Sequence, residues 1–378
     1  MKEIINLPGP STKLIDSPIP SINDDQVLIK VVVSGSNPKD WKVAELANDP
    51  NSFLYSRYSH VRDGVNQGDD IAGVVEKVGK NVVEFKEGDR VAAFHEMLKP
   101  GGSYAEYAVA WAHTTFHLPE SVSFEGTIPI YTPHPISIHR TTLTALQPTE
   151  AATIPLAALT AVISLHHHHA LPTPWSPPSA TTTPTPFVIY GGSTAVGSFA
   201  IKLLRASNIH PIIAIAGGGS PYVQSLLDLS KGDTVIDYRN GTDSTIAAIK
   251  SLNLNIKNAL DTIVDETSAH VLTQVVTPGG QVDHVLPRDP KDLPGLLSTN
   301  TWVNAAHEKA NGVDDCRDLC FVFCRWFSRA LKDGRFKGHP FEVRENGLEG
   351  VKGAMRDLMD GKASAVKYVF RIAETPGL

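Results

Sequence analysis

The sequence predicts an α/β chain of two domains: a mainly β domain assembled from both chain ends, and a doubly wound parallel-sheet domain inserted between them. Three observations carry this. Up to about residue 120 the chain is a series of β-rich runs punctuated by Gly and Asp. From Phe187 onward the pattern becomes apolar strand, glycine turn and helix, repeated at short spacing. At the end a helix between two short extended pieces is expected to return to the first domain. The boundaries drawn on this basis are 1–154 and 335–378 for the divided β domain and 155–334 for the inserted one.

In chain order, QVLIKVVVS at 26–34 is the first strong strand, followed by IAGVVEKVG, DRVAAF and AEYAVA at 71–79, 89–94 and 105–110. The inserted domain opens with FVIYGG at 187–192 and an amphipathic run at 193–207. The strand PIIAIA, a helix around 222–229 and the strand TVIDY come next. NALDTIV and QVDHVLP continue the series at 258–264 and 281–287, and alternation of this kind implies a parallel sheet covered on both faces. A helix is expected over 314–332. Residues 170–186, rich in Pro and Thr, predict an exposed loop, whereas 126–148 contains four prolines and neither strand nor helix periodicity.

Composition narrows the class. Apolar residues make up 42% of the 378 residues, and the net charge is -6 (34 Lys+Arg against 40 Asp+Glu), with no basic run to grip nucleic acid. A small-molecule partner is therefore the expectation. The N-terminus lacks the apolar stretch of a secretory signal, and the longest weakly polar run, 151–165, falls short of the roughly 20 residues that span a bilayer. Cys316, Cys320 and Cys324 are an odd set within nine residues, which is no disulfide framework. A cytoplasmic protein without membrane attachment is expected.

The window GSTAVG, from Gly192 to Gly197, lies between a predicted strand and a predicted helix, the context of a dinucleotide turn, although Thr194 replaces the usual middle glycine. At the end of the next strand, where NAD sites carry an acidic residue for the ribose hydroxyls, the chain has Gly217, Gly218, Gly219 and Ser220. No carboxylate is present to repel a 2′-phosphate, so NADPH is favoured over NADH.

The stretches SGSNPKDWK (34–42), GDDIAGVVEKVGKNVVEFKEGDRV (68–91), GGSYAEYAV (101–109), EAATIPLAALTA (150–161), YGGSTAVG (190–197), VIDYR (235–239) and GKASAVKYVFRI (361–372) together resemble the medium-chain dehydrogenase/reductase superfamily. Within it they are most similar to the zinc-free quinone oxidoreductases, and the YGGST turn with the later Ser-Pro resembles the fungal trans-acting enoyl reductases that serve polyketide synthases, the lovastatin type. The resemblance implies a GroES-like β domain and a Rossmann domain. It also implies that Lys39, Asp40, Trp41 and Lys42 line the nicotinamide side, with Lys42 near the reacting end as the candidate catalytic residue. Gly191, Gly192, Ser193 and Thr194, with Val196 beside them, would hold the pyrophosphate. Ser220, Pro221, Tyr222, Val223 and Tyr238 would surround the 2′-phosphate, and Lys367 would lie near the cofactor. Ala161, Val162, Ile163, Ser164, Leu165, His166, His167 and His168 would face substrate. Quinone reductases often have a lysine where this chain has Val223, so phosphate binding would rest on neutral donors.

No metal is expected. Zinc-dependent alcohol dehydrogenases of the superfamily use a Cys, a Gly-His-Glu triplet and a later Cys; the corresponding stretches here read SNPKD and Gly68-Asp69-Asp70. The three cysteines at i, i+4, i+8 are expected to pack as core, and the run His166 to His169 to form a solvated or rim helix end. Without a Lewis acid for alcohol chemistry, hydride addition to an activated C=C bond needs least from the protein. The expected function is thus an NADPH-dependent reductase of an enone or enoyl thioester. A polyketide acyl carrier protein is a candidate partner, and the chain is a monomer or homodimer. A quinone reductase and a non-catalytic nucleotide-binding protein are the alternatives. Lys42 either supplies a proton or hydrogen bond, or is merely a surface cation or phosphate contact. Relatives run almost directly across 126–148, so this segment is read as a translated intron in preference to a genuine loop.

Overall fold

The computed structural model describes residues 1–119, 148–179, 184–308 and 315–378. Almost all of the 126–148 segment, and with it the intron reading, lies outside the described residues. The chain divides into two compact units: Met1–Pro155 with Cys324–Met359 and Tyr368–Leu378, and Leu156–Phe323 with Asp360–Lys367. The boundaries expected from the sequence fall at 154 and 334, with 324–334 in the inserted domain and 360–367 in the β domain; both segments lie in the other unit here.

In the first unit the strand Gln26–Gly35 is central. It pairs antiparallel with Asp70–Val78, Tyr107–Trp111 and the closing strand Lys367–Arg371. Asp70–Val78 continues to Arg90–Phe94 and then Thr115–His117. Cross-strand pairing through Ser34 sets Ile71 and Phe370 on one face of this sheet, both buried, and Tyr104 meets Phe370 edge-on there at 5.5 Å. The expected β character of this region is interrupted by the helix Lys39–Asn48. Its start is local: Pro38 fixes the entry, and the Asn37 N–H donates to Asp40 Oδ2 at 2.7 Å.

The second unit holds six parallel strands in spatial order Thr234–Asp237, Ile212–Ala216, Phe187–Tyr190, Asn258–Asp261, Gln281–His284, Leu297–Asn300. The first five are the predicted ones. The sixth, LSTN at the edge, is too polar for the pattern to show. Because the chain runs outward from Phe187–Tyr190 and then returns to its other side, the strand order reverses there, and the crevice at that end is where doubly wound sheets bind ligands.

The three cysteines are buried on the helix Arg317–Lys332 or just before it, and burial pushes the Cys324 thiol up to about 12. They are core, as a small hydrophobe packs. No helix among the described residues is long and apolar enough to cross a membrane.

Candidate functional site

In the second unit the glycine turn is held by hydroxyls. Gly191 has φ +89°, and a Cβ on it would sit 2.3 Å from Thr262 Oγ1; one on Gly197 would meet the Gly191 carbonyl at 2.3 Å. These are the close approaches that require glycine. Thr194 occupies the middle position because it caps the helix Ala195–Ala206: its Oγ1 accepts from the Gly197 N–H at 3.0 Å and lies 2.9 Å from Thr262 Oγ1. The departure from the three-glycine pattern is thus a capping residue, and the helix N-terminus still faces the turn. Thr262 is a site residue that no local signal revealed. Ser193 and Val196 are half-buried.

The second loop, 217–219, lies against three neighbours. Added Cβ atoms would meet the Tyr238 ring at 2.7 Å from Gly217, and Ser193 Cβ at 2.5 Å and Ala365 Cβ at 2.9 Å from Gly219. From Gly218 the nearest atom is Ser364 Oγ at 3.3 Å. Ser220 Oγ donates to the Gly217 carbonyl at 2.7 Å, and Pro221 and Tyr222 continue the short helix Ser220–Leu226. Tyr238 is 48% exposed. Val223 is fully buried beneath Gly192, so its side chain is core and does not face a phosphate. Lys367 is buried at the start of the closing strand.

The stretch expected to face substrate is mostly buried. Ala161, Val162, Ile163, Ser164 and Leu165 are all wholly interior, so only His166, His167 and His168 of that stretch reach the surface. The residues 163–168 form a π-helical turn. His166 stacks on Phe323 at 4.8 Å and its Nδ1 lies 3.1 Å from the Leu171 carbonyl. Burial lowers it to about 4, so it is neutral at physiological pH.

In the first unit, 37–40 and 67–70 meet in a buried polar cluster. Lys39 Nζ forms an ion pair with Asp69, reaches Asp40 Oδ1 at 3.2 Å and donates to the Gln67 carbonyl at 2.5 Å. Asp40 Oδ2 accepts from the Tyr104 hydroxyl at 2.5 Å, and Asp70 accepts from Asn37 Nδ2 at 2.7 Å. Burial would lower the Lys39 ammonium, but the charges of Asp69 and Asp40 raise it above the usual lysine range. Burial likewise pushes Asp40 up to about 6, against the pull of Lys39 and the Tyr104 hydrogen bond.

Lys42, one turn along, differs from Lys39. Its ammonium lies 5.6 Å from the Trp41 ring centroid, forms no ion pair among the described residues, and is lowered by burial alone. Trp41 Nε1 also finds no acceptor among the described residues.

The stretches that carry zinc ligands elsewhere in the superfamily therefore do not fit that metal. The Asp40 and Asp69 carboxylates are engaged by an ammonium, Asp70 accepts from the Asn37 amide, and among the described residues no thiolate stands with them. The ring nitrogens of nearby His95 lie 2.7 Å and 3.1 Å from the carbonyls of Val109 and Lys99. Among the described residues no group of three or more His, Cys, Asp or Glu could hold a metal. Asp69, Gln67 and Tyr104 were not among the sequence candidates, because their pairing with 37–40 is non-local.

Comparison with known proteins gives three findings. Residues 23–120 match the alcohol dehydrogenase GroES-like domain. The chain is 40% identical over 352 residues to the trans-enoyl reductase fsr4 of Gibberella fujikuroi, covering 91% of this chain and 90% of that protein. It is 29% identical over 409 aligned positions to the trans-enoyl reductase resD of Aspergillus sclerotiorum, covering 98% and 100%. Its fold matches that of the quinone oxidoreductase of Coxiella burnetii with a TM-score of 0.69 at 18% identity, covering 98% and 99%.

Proposed function

The chain belongs to the family of the fungal trans-enoyl reductases, within the medium-chain dehydrogenase/reductase superfamily, and from that premise we propose that it is an NADPH-dependent, zinc-independent reductase of activated C=C bonds. The observation that supports the zinc-free part of the reading is the Lys39 ammonium seated between Asp69 and Asp40, which already pairs those carboxylates with a positive charge. NADPH, when bound, supplies the hydride. The turn at 191–194 would take its pyrophosphate at the helix N-terminus. Ser220, Tyr238 and, from the closing segment, Ser364 flank the loop 217–219 that would take the 2′-phosphate. That loop carries no carboxylate.

The chemistry asked of the chain is modest. In an enone or enoyl thioester, addition at the β-carbon places negative charge on the carbonyl oxygen. Lys42 is the group that meets this need: a desolvated ammonium without a counter-ion among the described residues, able to hydrogen-bond the developing enolate or supply the proton for the α-carbon. The Trp41 N–H is a second donor on the same turn. An acyl group carried on an acyl carrier protein is the substrate that the family resemblance favours.

The test is steady-state NADPH oxidation with a crotonyl thioester, with a quinone, and with neither. Thioester-dependent oxidation exceeding the quinone rate supports the proposal. Quinone reduction alone would make the chain a quinone reductase, and NADPH binding without turnover on either would make it a nucleotide-binding partner.

A further inference from the structure

We propose that Lys39 is a positioning residue of this reaction: tied to Asp69 and the Gln67 carbonyl, it locks the first turn of the helix Lys39–Asn48 to the segment 67–70 and thereby fixes Lys42. The inference rests on the function proposed above. The helix begins without a side-chain cap at Pro38; besides the local Asn37 N–H to Asp40 bond, tertiary contacts hold its first turn. Three of them converge: Lys39 to Asp69 and Gln67, Asn37 Nδ2 to Asp70, and Tyr104 to Asp40. Lys39 and Lys42 are three residues apart, on neighbouring positions of one helix face. A shift or rotation of the first turn therefore carries Lys42 with it. Lys39 itself does not serve as the donor to substrate, because Asp69, Asp40 and the Gln67 carbonyl take its three N–H groups.

Removing Lys39 alone would leave two buried carboxylates facing each other and would destabilise the fold. The informative variant is Lys39→Met/Asp69→Asn, which removes the Lys39–Asp69 pair with little change of volume and leaves Asp40 held by the Tyr104 hydroxyl and the Asn37 N–H. Trace labelling of the Lys42 amine with acetic anhydride as a function of pH, read by mass spectrometry, reports its titration whether or not the protein turns over. The melting temperature is expected to stay near that of the parent, and the Lys42 titration to move up toward that of exposed lysines. With the crotonyl thioester, kcat is expected to fall about 10- to 100-fold, with the KM for NADPH within about threefold. A Lys42 that titrates in the double variant as in the parent overturns the inference, as does a kcat within twofold of the parent. If the parent reduces no activated double bond, the proposed function falls, and the labelling alone then decides whether Lys39 fixes Lys42.

Discussion

Replacing Gly218 by aspartate should turn the nucleotide preference from NADPH toward NADH. The position is chosen by space. A side chain at Gly217 would strike the Tyr238 ring and one at Gly219 would strike Ser193 and Ala365, whereas at Gly218 only Ser364 Oγ, at 3.3 Å, has to give. Gly218 is exposed and its φ is not positive, so the fold should lose no more than about 0.5 kcal/mol. A carboxylate about 6 Å from a phosphate carrying about -1.5 to -2 charges, at an effective dielectric of about 40–80, is repelled by about 1–3 kcal/mol. That is a ~5- to ~150-fold loss of NADPH affinity, while the same carboxylate can accept hydrogen bonds from the ribose hydroxyls of NADH. Titrations of both nucleotides, read by quenching of the chain's five tryptophans, measure the ratio. The effect should shrink in high salt. A parent that binds NADH more tightly, or a variant whose preference changes less than twofold, would refute the placement of the phosphate at this loop.

Lys42→Ala should lower kcat and kcat/KM together by about 10²–10³, the mark of a lost transition-state interaction; a raised KM for NADPH with kcat intact would instead make Lys42 a phosphate contact. Asp40 titrates near 6 in the fold, above its usual value near 4 because of burial, so folding favours its protonated form. Its contribution to stability is full below pH 4 and is lost as pH rises through about 6. The parent should therefore lose about 3 kcal/mol relative to Asp40→Asn between pH 4 and 8 in urea unfolding, and a difference that is flat or rises with pH contradicts this. Activity should survive exhaustive chelation, with well under one zinc per chain by elemental analysis; stoichiometric zinc lost together with activity would overturn the metal-free mechanism.

The inserted sheet was legible because its central strands are buried on both faces and read as unbroken apolar runs such as PIIAIA and FVIY. The edge strand Leu297–Asn300 has no such run, and the Lys39–Asn48 helix mixes polar and apolar residues within a β-rich stretch. At the site, the glycine turn announced itself, but the hydroxyl support from Thr262 did not, since it comes from another strand's end. The buried cluster was hidden for the same reason. SNPKD and GDD could be compared with zinc-binding stretches one at a time, but only the antiparallel pairing of Gly35 with Asp70 brings Lys39 and Asp69 together. The stretch expected to face substrate is a different case. Ala161 to Leu165 form an apolar run whose side chains are core, and the family resemblance marked the run without saying which way they turn.

The central claim, hydride addition to an activated double bond, is tested most directly by following the label from NADPH deuterated at nicotinamide C4. With a crotonyl thioester the product should be the saturated butyryl thioester with one deuterium at the β-carbon and a solvent-derived hydrogen at the α-carbon. Simple saturated alcohols with NADP⁺ should give no detectable reduced nucleotide. Deuterium at the carbonyl carbon, or alcohol oxidation at a rate comparable to thioester reduction, would contradict the account.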